Sequence, residues 1–116
     1  MAKLEKLEIF QDCLAFVKAV YSITDKFPEK EKFSLTLHLN KTAIQVVSNI
    51  CESYGRKTKK DKARFLDIAY ASLIEAIGQL YIAKTVGYIS ERKLSDAKIF
   101  IEKYKSKILK FKHNLK

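Results

Sequence analysis

Apolar residues recur along this chain at intervals of three and four positions, the spacing that places side chains on one face of an α-helix. The first such run stops at the only proline, Pro28, and predicts a helix from about Glu8 to Lys26. A second run starts at Leu35 and stops at Gly55, which we expect to end the helix in the left-handed conformation that glycine adopts easily. No segment shows the alternation of apolar and polar residues that is typical of a β-strand.

Two more apolar runs follow in the second half of the chain. A third helix is predicted from within residues 59–62 to Gly87, with large and small apolar residues alternating along its stripe. Gly78 inside this helix costs about 1 kcal/mol relative to alanine, so a close approach of another backbone would explain its presence. Ser90 is expected to cap a fourth helix with heptad-like apolar spacing. The pattern predicts one all-α domain over residues 1–116, an up-and-down antiparallel four-helix bundle.

The second predicted helix is apolar over more of its circumference than a surface helix needs. Its main stripe, which begins at Leu35, is expected to face the core of the bundle. A second track lies on another side of the same helix and consists of Leu37, Ile44, Val47 and Cys51. Such a helix is either buried on all sides at the centre of the bundle or in contact with another subunit. The sequence leaves both interpretations open.

Length and composition fit a single soluble globular domain. The chain has 116 residues, 47% apolar and 31% charged, which is too apolar for a disordered chain. Charges interrupt the apolar segments, and the amphipathic fourth helix needs its apolar seam for the bundle, so no membrane partner is expected. Acidic residues at Glu5, Glu8 and Asp12 also interrupt any secretory leader, and we therefore expect a cytoplasmic protein.

The residue types that carry catalysis or bind metals in other proteins are few here. Cys13 and Cys51 lie among apolar residues and are expected to be buried free thiols. Together with His38 and His113, they lack the close spacing of paired zinc ligands. The sequence also has no glycine-rich phosphate loop and no recognisable grouping of Ser, His and Asp. We expect a non-enzymatic protein without metal or cofactor.

Positive charge is the strongest functional signal in the sequence. Lys and Arg number 23 against 13 Asp and Glu, and the formal net charge of +10 attracts phosphate. One concentrated segment follows the second helix, with Asp61 as its single acid, and contains Arg56, Lys57, Lys59, Lys60, Lys62 and Arg64. A second segment occupies the end of the chain and contains Lys103, Lys105, Lys107, Lys110, Lys112 and Lys116. In an up-and-down bundle, both segments fall at the same end.

These two basic segments predict electrostatic binding to RNA or DNA. Such binding weakens steeply as salt rises and carries no base specificity by itself. Cations at a helix start oppose the helix dipole, which hints at a role outside folding, although solvated lysines are common there. Tyr54 either stacks on an unpaired base or packs at the core end of its helix. The alternative function is a protein-interaction scaffold, for which the two-sided second helix would provide the surface.

Several segments together resemble one protein family. They are residues 48–56 (SNICESYGR), 64–75 (RFLDIAYASLIE) and 82–89 (IAKTVGYI), with further similarity at residues 7–11 and 27–36. These segments resemble the four-helix-bundle proteins encoded in intervening sequences of bacterial large-subunit ribosomal RNA. The resemblance implies a ring-like homopentamer, no known enzymatic activity and a suspected role in nucleic-acid binding. The related accessory variability determinant of diversity-generating retroelements binds nucleic acid and a reverse transcriptase, so a reverse transcriptase is a further candidate partner.

The resemblance also implies which residues form the family's site. The matching positions form a polar and basic set around the junction of the second and third helices: Asn49, Glu52, Gly55, Arg56, Arg64, Phe65 and Glu75. Lys41 keeps the second of two basic positions that the family often has, whereas Asn40 stands at the first. Val47 stands where proline is common, which removes an expected kink. Cys51 and Ser53 stand where Ala and Gly are usual.

Overall fold

The computed structural model describes residues 3–116, and over this range the chain forms helices and no β-strand. Two short 3₁₀ turns, at Leu4–Lys6 and Glu29–Glu31, precede the first and second α-helices. The α-helices are α1 (Glu8–Thr24), α2 (Leu35–Gly55), α3 (Lys59–Thr85) and α4 (Glu91–His113). Consecutive helices are joined by short links and pack against each other, which confirms the predicted all-α four-helix bundle. The predicted helix boundaries agree with these to within one turn.

The buried side of each helix follows the apolar stripe read from the sequence. The apolar stripe that the sequence predicts for the third helix is buried throughout, and it consists of Leu66, Ala69, Leu73, Ala76, Leu80 and Ala83. The predicted apolar seam of the fourth helix is buried at Leu94, Ile101, Tyr104 and Ile108 and half-buried at Ala97, Phe111 and Leu115. Cys13 is fully buried as predicted, and burial raises the pKa of its thiol to about 11. Cys51 is only half-buried, so the prediction of a buried thiol was wrong at that position.

The first and last helices, α1 and α4, close the bundle through a few specific contacts. The buried Tyr104 hydroxyl of α4 donates a hydrogen bond of 2.7 Å to the backbone carbonyl of Ile9 in α1. Further along α4, the ammonium of Lys107 lies 2.6 Å from a carboxylate oxygen of Glu8 and 3.0 Å from one of Asp12. The hydrogen bond and the charge of Lys107 lower the pKa of the Glu8 carboxyl. These contacts hold the C-terminal half of α4 against the start of α1.

At the opposite end of the bundle, the two links between helices are joined to each other. The Tyr88 hydroxyl, between α3 and α4, donates a hydrogen bond of 2.7 Å to the carboxylate of Glu31, between α1 and α2. This hydrogen bond, followed by one from the backbone amide of Leu35, lowers the pKa of the Glu31 carboxyl. The Tyr88 and Phe27 rings lie 5.4 Å apart between their centres. The pair α1–α2 is thereby tied to the pair α3–α4 at this end.

Hydroxyl side chains cap the starts of the two longest helices. The Ser90 side chain accepts a hydrogen bond of 3.0 Å from the backbone amide of Lys93, which confirms the predicted cap of α4. The Thr58 side chain accepts an equivalent bond of 3.0 Å from the amide of Asp61 at the start of α3. Both caps satisfy amides that the first helical turn leaves without a partner.

A glycine in the left-handed conformation ends α3 but not α2. Gly87 has a φ of 85°, and the Tyr88 amide bonds back to the Ala83 carbonyl in a Schellman motif. Gly55 is the last helical residue of α2 and has no positive φ, so the predicted left-handed end was wrong. α2 ends because the next residue is extended. A methyl group at the exposed Gly78 would meet no atom within 4 Å, so the predicted close backbone approach was also wrong.

Replacing Gly78 with alanine should stabilise the protein by about 1 kcal/mol, because alanine fits the open space and loses less backbone entropy in a helix. Gly87→Ala is the matched control and should destabilise the protein, because a φ of 85° is strained for alanine. Both variants are measured by chemical denaturation followed by circular dichroism. A loss of stability in Gly78→Ala would contradict the open position and indicate that another chain approaches it.

Removing the buried hydroxyl of Tyr104 should weaken the closure of the bundle. Tyr104→Phe keeps the ring but loses the hydrogen bond to Ile9, and we expect the free energy of unfolding to fall by about 1–2 kcal/mol. Tyr81→Phe is the control, because this exposed hydroxyl accepts its bond from the ammonium of Lys98 at the surface. We expect the control to change stability by less than about 0.5 kcal/mol. Equal effects of the two variants in thermal or urea melts would contradict the role given to the Ile9 bond.

Candidate nucleic-acid interface

The link between α2 and α3, residues 56–58, lies at the same end of the bundle as the start of α1 and the end of α4. One cleft there is lined by side chains next to these three regions, among them Leu7 before α1, Tyr54 near the end of α2 and Leu115 after α4. The first turns of α3 also face the last turns of α4, where the ammonium of Lys112 lies 2.7 Å from Asp67. The prediction that the two basic segments are neighbours is therefore confirmed.

A shallow groove runs between the start of α3 and the end of α4. Its floor is apolar and is formed by Ala63, Leu109 and Leu115. Its polar lining is basic and consists of Lys59, Lys110, Lys112 and His113. No acidic side chain of the described chain lines this groove. The basic groove, as we call it below, therefore presents cations from two helices to an approaching anion.

Two arginines of the junction lie on one aromatic ring. The guanidinium carbon of Arg56 is 4.7 Å from the centre of the Phe65 ring, and that of Arg64 is 4.6 Å from it. The Nε of Arg56 also donates a hydrogen bond of 3.1 Å to Glu52, one turn earlier in α2. Because each guanidinium is attracted to the π-electrons, the ring holds two like charges close together at the surface. The terminal nitrogens of this arginine pair are donors suited to the oxygens of a phosphate.

Lys62 has a different role from the other cations of its segment. Its half-buried ammonium donates hydrogen bonds to the backbone carbonyls of Ser53, at 3.3 Å, and Tyr54, at 3.0 Å. These are among the last carbonyls of α2, which have no partner within the helix. The hydroxyl of the buried Ser53 in turn donates a bond of 2.9 Å to the Lys62 carbonyl. Lys62 therefore caps the end of α2 and joins it to α3, rather than extending into solvent.

The remaining cations at this end differ in whether they form ion pairs with acidic side chains. Within residues 3–116, no acidic side chain forms an ion pair with the exposed residues Lys57, Lys59, Lys60 and Arg64. In α4, by contrast, half of the predicted basic run is paired with acids, at Lys105, Lys107 and Lys112. The field at this end therefore comes more from the α2–α3 junction than from α4.

Several predicted site residues lie away from this end of the bundle. Lys41 is exposed on α2, about 22 Å from Arg56 along the helix axis. Glu75 lies in the middle of α3, about 15 Å from Phe65 along the axis. Asn49 donates its amide to a backbone carbonyl of its own helix at 2.8 Å. The structure thus brings together the predicted residues from Glu52 to Phe65, with Asn49 one turn before Glu52, but it places Lys41 and Glu75 away from them.

The departures from the family's pattern have visible structural consequences in α2. Asn40 accepts a hydrogen bond of 2.7 Å from the buried Thr24 hydroxyl, so this position ties α2 to α1 instead of carrying a cation. Ser53 supports the junction through its bond to Lys62. α2 continues unbroken through Val47, as expected without the proline.

Tyr54 is half-buried and lines the cleft, so its ring is neither enclosed in the core nor fully exposed. The structure leaves both interpretations of this ring in place.

Over residues 3–116, no group of three or more His, Cys, Asp or Glu side chains is placed to hold a metal ion. What this end of the molecule offers chemically is a set of cations beside an apolar cleft.

The outer side of the α2–α3 hairpin is apolar and exposed. Leu37 is 48% and Ile44 45% exposed, so the interpretation of α2 as a helix buried on all sides is wrong for a single chain. α3 is long and apolar enough to cross a membrane by length and composition, a test that core helices of soluble proteins also pass. Its large exposed apolar residues are Ile68, Ile74, Tyr81 and Ile82. Exposed apolar residues on both helices of a hairpin are typical of a surface that contacts another chain.

Comparison with known proteins identifies the family. The family model described as 23S rRNA-intervening sequence protein matches residues 5–110, which include α1, α2, α3 and most of α4. The match also includes the whole α2–α3 junction and its arginine pair. A search of curated proteins gives no match. Because the family model matches most of the chain, the resemblance stated from its residues is confirmed, and the chain belongs to the family of 23S rRNA-intervening sequence proteins.

Proposed function

We propose that this chain is a non-enzymatic, cytoplasmic protein that binds RNA or DNA by charge at the α2–α3 junction and the adjoining basic groove. The observation that carries the proposal is the set of exposed junction cations without acid partners in the described chain: Lys57, Lys59, Lys60 and Arg64. They continue into the basic groove, where Lys59 and Lys110 line the same surface. A net charge of +10 adds a long-range attraction for phosphate.

Phosphate is the ligand group that fits these residues best. The arginine pair on Phe65 presents two planar guanidiniums at fixed positions, and guanidinium forms bidentate bonds with phosphate oxygens. Lysines on the groove add point charges that release counterions from a nucleic acid when they approach its backbone. Contacts of this kind position a strand without reading its sequence. The binding proposed here is therefore steeply salt-dependent and weakly sequence-specific.

Self-association is the second part of the proposal. The exposed apolar residues of the α2–α3 hairpin supply a surface for other copies of the chain, and the family resemblance suggests a homopentamer. Five copies would carry a formal charge of about +50 and would repeat the basic groove on one assembly. Repeated weak sites increase the apparent affinity for a long strand even when each site is weak.

A protein-interaction scaffold is the competing function, and the same outer side of the hairpin favours it. A partner protein, such as the reverse transcriptase of a diversity-generating retroelement, would cover Leu37, Ile44 and their neighbours on α3. In that case the cations of the junction would contribute solubility or a contact with acidic residues of the partner. Binding of nucleic acid by the isolated protein through those cations would distinguish the first function from the second.

Replacing Lys57, Lys59 and Lys60 together with glutamine should weaken nucleic-acid binding without unfolding the protein, because exposed charges contribute little to stability. We expect the slope of log affinity against log salt to fall by about one unit for each lost phosphate contact. The measurement is fluorescence anisotropy with mixed-sequence RNA and DNA at two salt concentrations.

The matched control replaces three exposed lysines at the opposite end of the bundle: Lys26, Lys30 and Lys93. This control removes the same number of charges, so equal losses in the two variants would show that net charge alone matters and contradict a local site. No binding by the wild-type protein to either nucleic acid would leave the scaffold as the function.

Ile44→Lys should dissociate the oligomer, because a charge that loses its water in a subunit contact strongly destabilises that contact. If Ile44 stayed exposed, the same charge would change stability very little. Val47→Lys, beside it on α2, should also reduce the free energy of unfolding, because Val47 packs against the core. Leu14→Lys is the matched control, since this α1 residue is 44% exposed, close to the 45% of Ile44. Light scattering measures the mass of each protein. A wild-type monomer at micromolar concentration would contradict self-association.

A further inference from the structure

An apolar cleft opens beside the basic groove at the same end of the bundle. Its volume is about 430 Å³, within the usual range for sites that hold small organic groups. Its walls are mostly apolar and come from the N-terminal segment, α2 and α4: Leu7, Ile9, Ile50, Phe111 and Leu115. The Tyr54 ring lines it, and Ser53, Lys62, Asn114 and Lys116 supply its polar lining.

The cleft and the basic groove adjoin each other at Leu115. Leu115 lines both of them, so a chain of phosphates lying in the groove passes the mouth of the cleft. The cleft also contains no acidic side chain of the described residues, and Lys62 and Lys116 give it positive charge. A single nucleic-acid strand matches this combination, because its phosphates are anionic and its bases are flat groups with apolar faces.

We propose that the cleft receives one unpaired base of a strand whose phosphates lie in the basic groove, so that the protein binds single strands more tightly than duplexes. This inference rests on the proposed nucleic-acid binding. A base in a duplex is stacked and paired, and it reaches such a cleft only if the duplex opens, whereas an unpaired base enters without that cost.

The chemistry of the cleft suits a base better than it suits a phosphate. Apolar side chains and the Tyr54 ring contact the faces of a base, as aromatic residues do in proteins that bind single strands. The Asn114 amide and the Ser53 hydroxyl supply a donor and acceptors for its polar edge. The ammonium of Lys62 is held by two backbone carbonyls, so its charge is fixed in place at the side of the cleft.

The first experiment compares three probes of equal length at the same salt concentration: a single strand, the duplex of the same sequence, and a strand of abasic nucleotides. The abasic strand keeps every phosphate but lacks the bases. We expect wild-type protein to bind the single strand roughly tenfold more tightly than the abasic strand, the gain typical of stacking one base on an aromatic ring. Tyr54→Leu should remove this difference and leave duplex binding unchanged, and Tyr54→Phe, which keeps the ring, should retain most of it.

A fluorescence experiment tests the cleft directly and does not depend on the Tyr54 variants. The chain contains no tryptophan, so Phe111→Trp places a single reporter in the cleft wall. Addition of a single strand should quench this tryptophan, and addition of the abasic strand should not.

The possible outcomes separate the two proposals. Equal affinity for all three probes, with a steep salt dependence, would overturn the base site and leave electrostatic binding intact. Absence of binding to every probe would overturn both. Laurate, an amphiphilic anion without a base, is added to the same tryptophan variant as a third ligand. A response to laurate but not to the single strand would assign the cleft to an amphiphilic anion and overturn the base site as well.

Discussion

The hydrogen bond from the Tyr104 hydroxyl to the Ile9 carbonyl joins the first helix to the last, and the cleft at the basic end depends on this closure. Short links alone place α2 beside α1 and α3 beside α4. Nothing in those links brings α4 back to α1. Buried contacts and the Lys107 ion pairs do so, and the walls of the cleft then come from both ends of the chain. The fold therefore builds its candidate site from segments that are far apart in sequence.

Concentrating cations at one end of a small bundle has an electrostatic cost, which local contacts offset. The cations begin α3, where they oppose the helix dipole, and they also repel each other. The Phe65 ring attracts both Arg56 and Arg64, and Glu52 balances one of them. Lys62 uses its charge to cap α2. Lys57, Lys59 and Lys60 have neither an acid partner within residues 3–116 nor a contact of this kind, and for that reason they are central to the proposed binding.

Periodicity in the sequence was enough to predict the four helices and nearly all of the core, because burial depends mainly on which face of a helix is apolar. It failed where the outcome depends on the surroundings of a residue. Gly78 and Gly55 were interpreted from residue type, but the space around one and the φ of the other are set by tertiary structure. The candidate site was predicted only in part for the same reason. Lys62 and Arg64 are two residues apart in sequence, and only the folded chain shows that one ammonium faces carbonyls while the other cation lies on an aromatic ring.

The cap that Lys62 forms on α2 makes the end of that helix and the start of α3 a single mechanical unit. Fraying of the last turn of α2 would release the ammonium and, with the same movement, shift Glu52 and Arg56 away from Phe65. Local opening at this junction and loss of the arginine pair are then one equilibrium, not two. An anion that held the arginines in place would therefore slow hydrogen exchange in the final turn of α2 without contacting the amides that exchange.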